Sequence, residues 1–144
     1  MIRHTGIVVD NIEESIDFYT SNFNLVVKSN MLEQGQYIDA MLGIADVKVR
    51  TVKLSDTKGG LIELLKFENL TQVFEGSFWR LADFGCSHVA FTVPDVELCH
   101  RQMADSGCIN VSDPQTPPGN KVKVFFSQTP KKFGGVFIEI VQEL

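Results

Sequence analysis

The chain repeats itself, and the repeat constrains the fold more than any other feature. HTGIVVDNIEESI from His4 and HVAFTVPDVELCH from His88 share few letters but the same order of parts. Each begins with histidine, runs through a short apolar alternation, and enters a helical pattern behind an aspartate. Two later stretches also match: GGLIELLKF from Gly59 and GGVFIEIVQ from Gly134 each place one glutamate between aliphatic residues. Internal repeats are read first because they dictate architecture. We place one unit at residues 1–68, a connector at 69–85 and a second unit at 86–144. Neither is large enough to bury a core alone, so they are expected to pair into one domain.

The elements follow from period and punctuation. Arg3 to Val9 reads as a strand. Asp10 or Asn11 caps a helix, with Glu13 or Glu14 completing a capping box. Ile12, Ile16, Tyr19 and Phe23 fall on one face of it. LVVKSN from Leu25 reads as a short strand, MLEQGQYIDAMLGIAD as a loop with part of a strand, and VKVRTVKL and LIELLKF as strands. A short helix is expected around FWRLAD in the connector. In the second unit CSHVAFTV is a strand. Pro94, Asp95 and Gly107 frame a helix carrying Val96, Cys99 and Met103 on one face. INV, KVKVFFSQ and VFIEIVQ are strands around a Pro/Gly loop. Each unit is thus strand, helix, three strands, giving an α+β fold of two paired βαβββ modules.

The period of two in a strand then selects four residues. His4, Gly6 and Val8 share a face, as do His88, Ala90 and Thr92. Leu61, Glu63 and Leu65 share another, as do Phe137, Glu139 and Val141. A carboxylate in an apolar strand either faces water or needs a partner, since an unpaired buried ion costs several kcal/mol. Singly, each of the four reads as a solvated or hydrogen-bonded bystander. At matched positions of two modules, two imidazoles and two carboxylates form a donor set for one divalent ion, with zinc, nickel, cobalt, manganese and iron all compatible. His100 lies in a helix outside this pattern.

The net charge of −5 argues against nucleic acid. No apolar run approaches the ~18 residues that span a bilayer. Near the N-terminus the apolar run is too short for a secretory signal, and the reading is a cytoplasmic protein. Three cysteines, Cys86, Cys99 and Cys108, without a C-x-x-C pair, read as free thiols in a reducing compartment. Lys121, Lys123, Lys131 and Lys132 could hold phosphates or form a solvated face.

With H-x-G-I-x-V at His4, I-E-L-L at Ile62, H-V-A-F-x-V at His88 and the closing G-V-F-I-E-I, nearly the whole chain resembles the vicinal oxygen chelate superfamily. That group includes glyoxalases, bleomycin resistance proteins and dioxygenases. The resemblance implies paired βαβββ modules forming a curved mixed-sheet cleft around one divalent metal ion, held by His4, Glu63, His88 and Glu139. Three stretches resemble methylmalonyl-CoA epimerase: EQG at Glu33, G-N-K at Gly119 and TPKKFGGVFIEIVQ. On that likeness the reaction is a proton shift next to a carbonyl, of epimerase or isomerase type, on a small molecule that could be an acyl-CoA thioester. The metal acts as Lewis acid for the enolate, Glu139 is the base, and Glu33 is a second catalytic carboxylate. Two features depart from it: the epimerase tends to have Gln where Glu63 stands, and the stretch between Glu33 and Glu63 is longer here. A glyoxalase I-like lyase acting on a thiol hemithioacetal shares the ligand set. However, Val8 or Val9 and Phe67 stand where that family uses arginine and asparagine for glutathione. A non-catalytic binding protein of the resistance type is a further alternative. An extradiol-type dioxygenase is disfavoured, because four protein ligands leave too few open positions. By analogy a homodimer is expected.

Overall fold

Alternation in TGIV, VKVRTVKL and LIELLKF suffices for strands, but their pairing is a tertiary result. The computed structural model describes residues 3–71, 80–82, 88–119 and 121–144. The first half runs β1 (Thr5–Val8), α1 (Ile12–Phe23), β2 (Val26–Gln34), α2 (Gln36–Leu42), β3 (Lys48–Ser55) and β4 (Leu61–Phe67). The second runs β5 (His88–Thr92), α3 (Val96–Asp105), β6 (Ile109–Asn110), β7 (Val122–Gln128), a 3₁₀ turn (Lys131–Phe133) and β8 (Phe137–Glu143). They form two four-stranded mixed sheets, β1-β4-β3-β2 and β5-β8-β7-β6. In each, the first strand lies parallel to the last and the remaining pairs are antiparallel. This is the α+β fold of two βαβββ modules that the repeat predicts.

The helices start where the caps direct. Asn11 accepts from the Glu14 amide at 3.1 Å and donates its side-chain amide to the Glu14 carboxylate at 2.7 Å, so Asn11, not Asp10, is the N-cap. Its backbone N–H donates to the Lys132 carbonyl, so the reciprocal bond of a capping box is not made. Asp10 accepts instead from Lys66 Nζ at 3.0 Å, and that ammonium holds its carboxyl below the usual range. Asp95 caps α3 through the Leu98 amide at 2.9 Å.

One face of each sheet meets these helices. Ile7, Val52, Leu54, Ile62 and Leu64 from the first sheet join Phe125, Ile138 and Ile140 from the second in a single core. α1 carries much of the contact between the halves. Phe18 stacks on Phe133 at 4.4 Å and Phe23 on Phe91 at 4.1 Å, an arrangement that adds to simple area burial. Tyr19 Oη donates to the Phe133 carbonyl at 3.3 Å, and Ser15 Oγ to the Lys132 carbonyl at 3.1 Å.

Gly134 sits directly against β1 of the first half. Its φ is +106°, and a Cβ there would lie 2.6 Å from Ile7 Cγ2 and 3.1 Å from the Val8 carbonyl oxygen. Gly134→Ala is expected to cost about 1–3 kcal/mol, read as a lower midpoint in urea with an unchanged m-value. A midpoint within error of wild type would refute this account of the contact.

The structure departs from the sequence reading between Met31 and Asp46. β2 runs on to Gln34, and a seven-residue helix, α2, follows where a loop was expected. Gly35 and Gly43, at φ +100° and +68°, bracket it. Only Ile38 is buried in it, against Val47 and Val49. Both oxygens of Asp39 accept from the backbone, at the Asp46 and Val47 amides. Two turns with one buried residue give no periodicity to read. β6 is only two residues long, and Gln115 from the Pro/Gly loop continues along β7 by bridging to Val124. Of the expected connector helix at 78–83, Arg80, Leu81 and Ala82 are described and are not helical, and the other three residues lie outside the described residues, as does Cys86.

Cys99 and Cys108 are buried free thiols. Burial is the main cause that pushes their pKa values up to about 11 and about 12, and it keeps both protonated at neutral pH. Among the described residues no helix is long and apolar enough to cross a membrane.

Candidate functional site

The faces turned away from α1 and α3 carry the polar residues singled out above. In the first sheet the register aligns Ser29, Lys53, Glu63 and Gly6 in one row across β2, β3, β4 and β1. His4, immediately before β1, is two residues from Gly6 and so reaches Glu63 on the diagonal. Its Nε2 lies 3.3 Å from Glu63 Oε2. In the second sheet Phe126, Glu139 and Ala90 form the matching row, and His88 Nε2 lies 3.1 Å from Glu139 Oε2. Gly6 and Ala90 leave room above the sheet beside each pair, as the alternation predicts.

These pairs are spaced as ligands of one ion would be. Metal–donor lengths of about 2.0–2.2 Å put donors on adjacent corners of a coordination shell about 3 Å apart. Each histidine meets its glutamate at that separation, and all four side chains are only partly covered. The donor chemistry and the geometry of each pair therefore fit a divalent cation. The chain does not, however, gather the two pairs. Among the described residues no three of its histidine, cysteine, aspartate and glutamate side chains form a metal-competent group.

The two half-sites differ in one residue. Lys53, across from Glu63, places Nζ 3.6 Å from Glu63 Oε1, so both oxygens of Glu63 have a partner. The equivalent position beside Glu139 is Phe126, whose ring meets the His88 ring edge-on at 5.1 Å. Sequence reasoning passed over Lys53, although a signal existed. In VKVRTVKL the basic residues Lys48 and Arg50 share one parity and Lys53 has the other. Arg50 turns to the helix side, where it meets Glu13 at 2.5 Å and Asn30 at 2.9 Å.

Glu33 lies on the same face as Glu63, but two strands over and four residues along, roughly 16 Å away by strand geometry. Thr51 Oγ1 donates to its Oε2 at 2.9 Å. α2 packs over the neighbouring Val49, Leu65 and Phe67 and walls that end of the face. The basic cluster of the second half does not assemble beside Glu139. Lys123 pairs with Glu97 of α3, and Lys132 with Glu14 of α1 at 2.6 Å, both on the helix side; Asn120 lies outside the described residues. His100 packs edge-on against Phe125, 3.9 Å from Asp113 and apart from both pairs. A cavity of about 650 Å³ opens where α1 and the β3–β4 turn approach β5. It is lined by Asn24, Lys58, Ala90, Thr92 and Gln142 among others, and none of the four ligand candidates borders it.

Comparison with known proteins agrees with the fold described above. The sequence matches the family described as Glyoxalase/Bleomycin resistance protein/Dioxygenase superfamily over residues 1–140. No curated protein matches it in sequence. A glyoxalase family protein from Bacillus cereus superposes with a TM-score of 0.87 at 19% identity, covering 99% of this chain and 93% of that one. The trypanothione-dependent glyoxalase I of Leishmania major gives 0.65 at 21% identity, covering 99% and 86%. A glyoxalase I variant from Zea mays gives 0.67 at 17% identity, covering 97% of this chain but 43% of the maize chain.

Proposed function

Because the chain belongs to the Glyoxalase/Bleomycin resistance protein/Dioxygenase superfamily, we propose that it is a divalent-metal-dependent enzyme of the epimerase, isomerase or lyase type. In this reading it moves a proton next to a carbonyl of a small molecule. The observation that carries it is the pair of matched His–Glu contacts, His4–Glu63 and His88–Glu139, on the sheet faces turned away from α1 and α3.

His4, Glu63, His88 and Glu139 would hold the ion. When bound, a divalent cation supplies Lewis acidity toward the carbonyl oxygen next to the departing proton. Since one chain leaves the pairs apart, we assign the complete site to a homodimer, with the first pair from one chain and the second from its partner. Glu139 is the proton acceptor in this account. Glu63 is engaged at both oxygens by His4 and Lys53, whereas the register neighbour of Glu139 on β7 is the apolar ring of Phe126. Glu33 is too far along the face to share a carbon with the ion-binding pair of its own chain. We assign it to the wall of the site, not to proton transfer.

The test is metal content by mass spectrometry on untagged protein, followed by a deuterium-exchange screen of carbonyl compounds and acyl thioesters. Roughly one divalent ion per chain is expected, together with exchange of an α-proton. Glu33→Gln is expected to retain both, with the exchange rate within about tenfold of wild type, against the 10²–10⁴-fold typical of a lost base. No bound metal after reconstitution with nickel, cobalt, manganese or zinc would overturn the metalloenzyme reading and favour a binding protein of the resistance type.

A further inference from the structure

Lys53 breaks the equivalence of the two half-sites at the residue nearest the ligands. Its counterpart is Phe126, so the sheet accepts a residue without an ammonium at this row position. It is also the only described cation within ion-pair distance of any of the four ligand side chains. Two carboxylates and a divalent ion sum to zero, and the imidazoles add nothing when neutral. Lys53 then leaves one unbalanced positive charge. Once Glu63 turns to an ion, the ammonium loses part of its partner and stands beside a second cation, an arrangement that an incoming anion relieves. Two hydroxyls lie on the same face. Ser29 is directly across from Lys53 and Ser55 two residues beyond it, and both oxygens are buried without a hydrogen-bond partner among the described residues. Such groups are costly unless something pairs with them.

We propose that Lys53 selects oxo acids, carbonyl substrates that carry a carboxylate beside the reacting centre. The ammonium binds the substrate's anionic oxygen. This rests on the metal-site reading above. It makes Lys53 a specificity residue with two opposite effects: it weakens the bare protein's hold on the ion and strengthens the loaded protein's hold on an anion.

The test uses calorimetry with Ni²⁺, Co²⁺, Mn²⁺ and Zn²⁺ on the wild type, Lys53→Met and Lys53→Arg. Titration of pyruvate and methyl pyruvate into Mn²⁺-loaded protein follows, read by relaxation of ligand protons. The wild type should prefer pyruvate to its ester. Lys53→Met should bind metal about tenfold more tightly and pyruvate about tenfold more weakly, with the ester unchanged, and Lys53→Arg should keep the wild-type preference. If the wild type binds metal but treats acid and ester alike, the inference falls by itself, whether or not the variants fold. The same follows if Lys53→Met keeps the full preference. A wild type that binds no metal removes the metal-site reading and this inference with it.

Discussion

Glu139→Gln is expected to slow α-proton exchange in the active substrate by about 10²–10⁴-fold, the usual loss when a positioned base is removed. It should also weaken metal binding by at least about tenfold, since even outer-shell changes cost 10–100-fold in affinity. The amide matches the carboxylate in size, and Glu139 is only partly covered beside Ala90 and Phe126. The urea midpoint should therefore stay near that of the wild type, which separates loss of chemistry from loss of fold. Metal content, exchange rate and midpoint measured on one preparation decide the matter. Full exchange with full metal content would remove Glu139 from both roles and leave Glu63, despite its two partners, as the remaining carboxylate of the set.

The second large effect concerns how the half-sites meet. His4→Ala and His88→Ala homodimers should each lose their metal, because every site lacks one imidazole. Mixed together, the two chains should recover it. If each site draws one pair from each chain, the hybrid dimer has one site with both substitutions and one with neither. Roughly one ion per two chains should then return, with about half of the exchange activity of the wild type. Tagging the two chains differently isolates the hybrid, and metal analysis gives the answer. A hybrid as empty as its parents would place all four ligands within one chain. The modules would then have to rearrange, because the chain holds His4–Glu63 and His88–Glu139 as separate pairs.

Several of these features were legible from the letters because they depend only on local geometry. The period of two in a strand puts His4 with Gly6 and Glu63 with Leu65 whatever else the chain does. The repeat then predicted two modules of one topology, and the sheet orders bear this out. Capping is local as well, so the starts of α1 and α3 were visible. The choice of Asn11 over Asp10 was not, because Lys66, 56 residues away, claims Asp10.

What the letters could not give depends on residues distant in sequence. Lys53 matters because β3 pairs with β4 in the register that sets it against Glu63, and a shift of one residue would turn it to the helix side. Lys123 and Lys132 look like neighbours of the site in sequence, but they face α3 and α1 and pair with Glu97 and Glu14. α2 is held by a few contacts on Val49, Leu65 and Phe67 and by Asp39 gripping the next loop. No pattern within seven residues announces it. The sequence by itself determined which residues can bind an ion and on which face of a strand each stands, because alternation is a property of the backbone. Only the tertiary structure decided which of them meet, which cation stands beside them, and that one chain holds them as two halves. Register and packing arise from burying a shared core, and no local stretch of the chain specifies them.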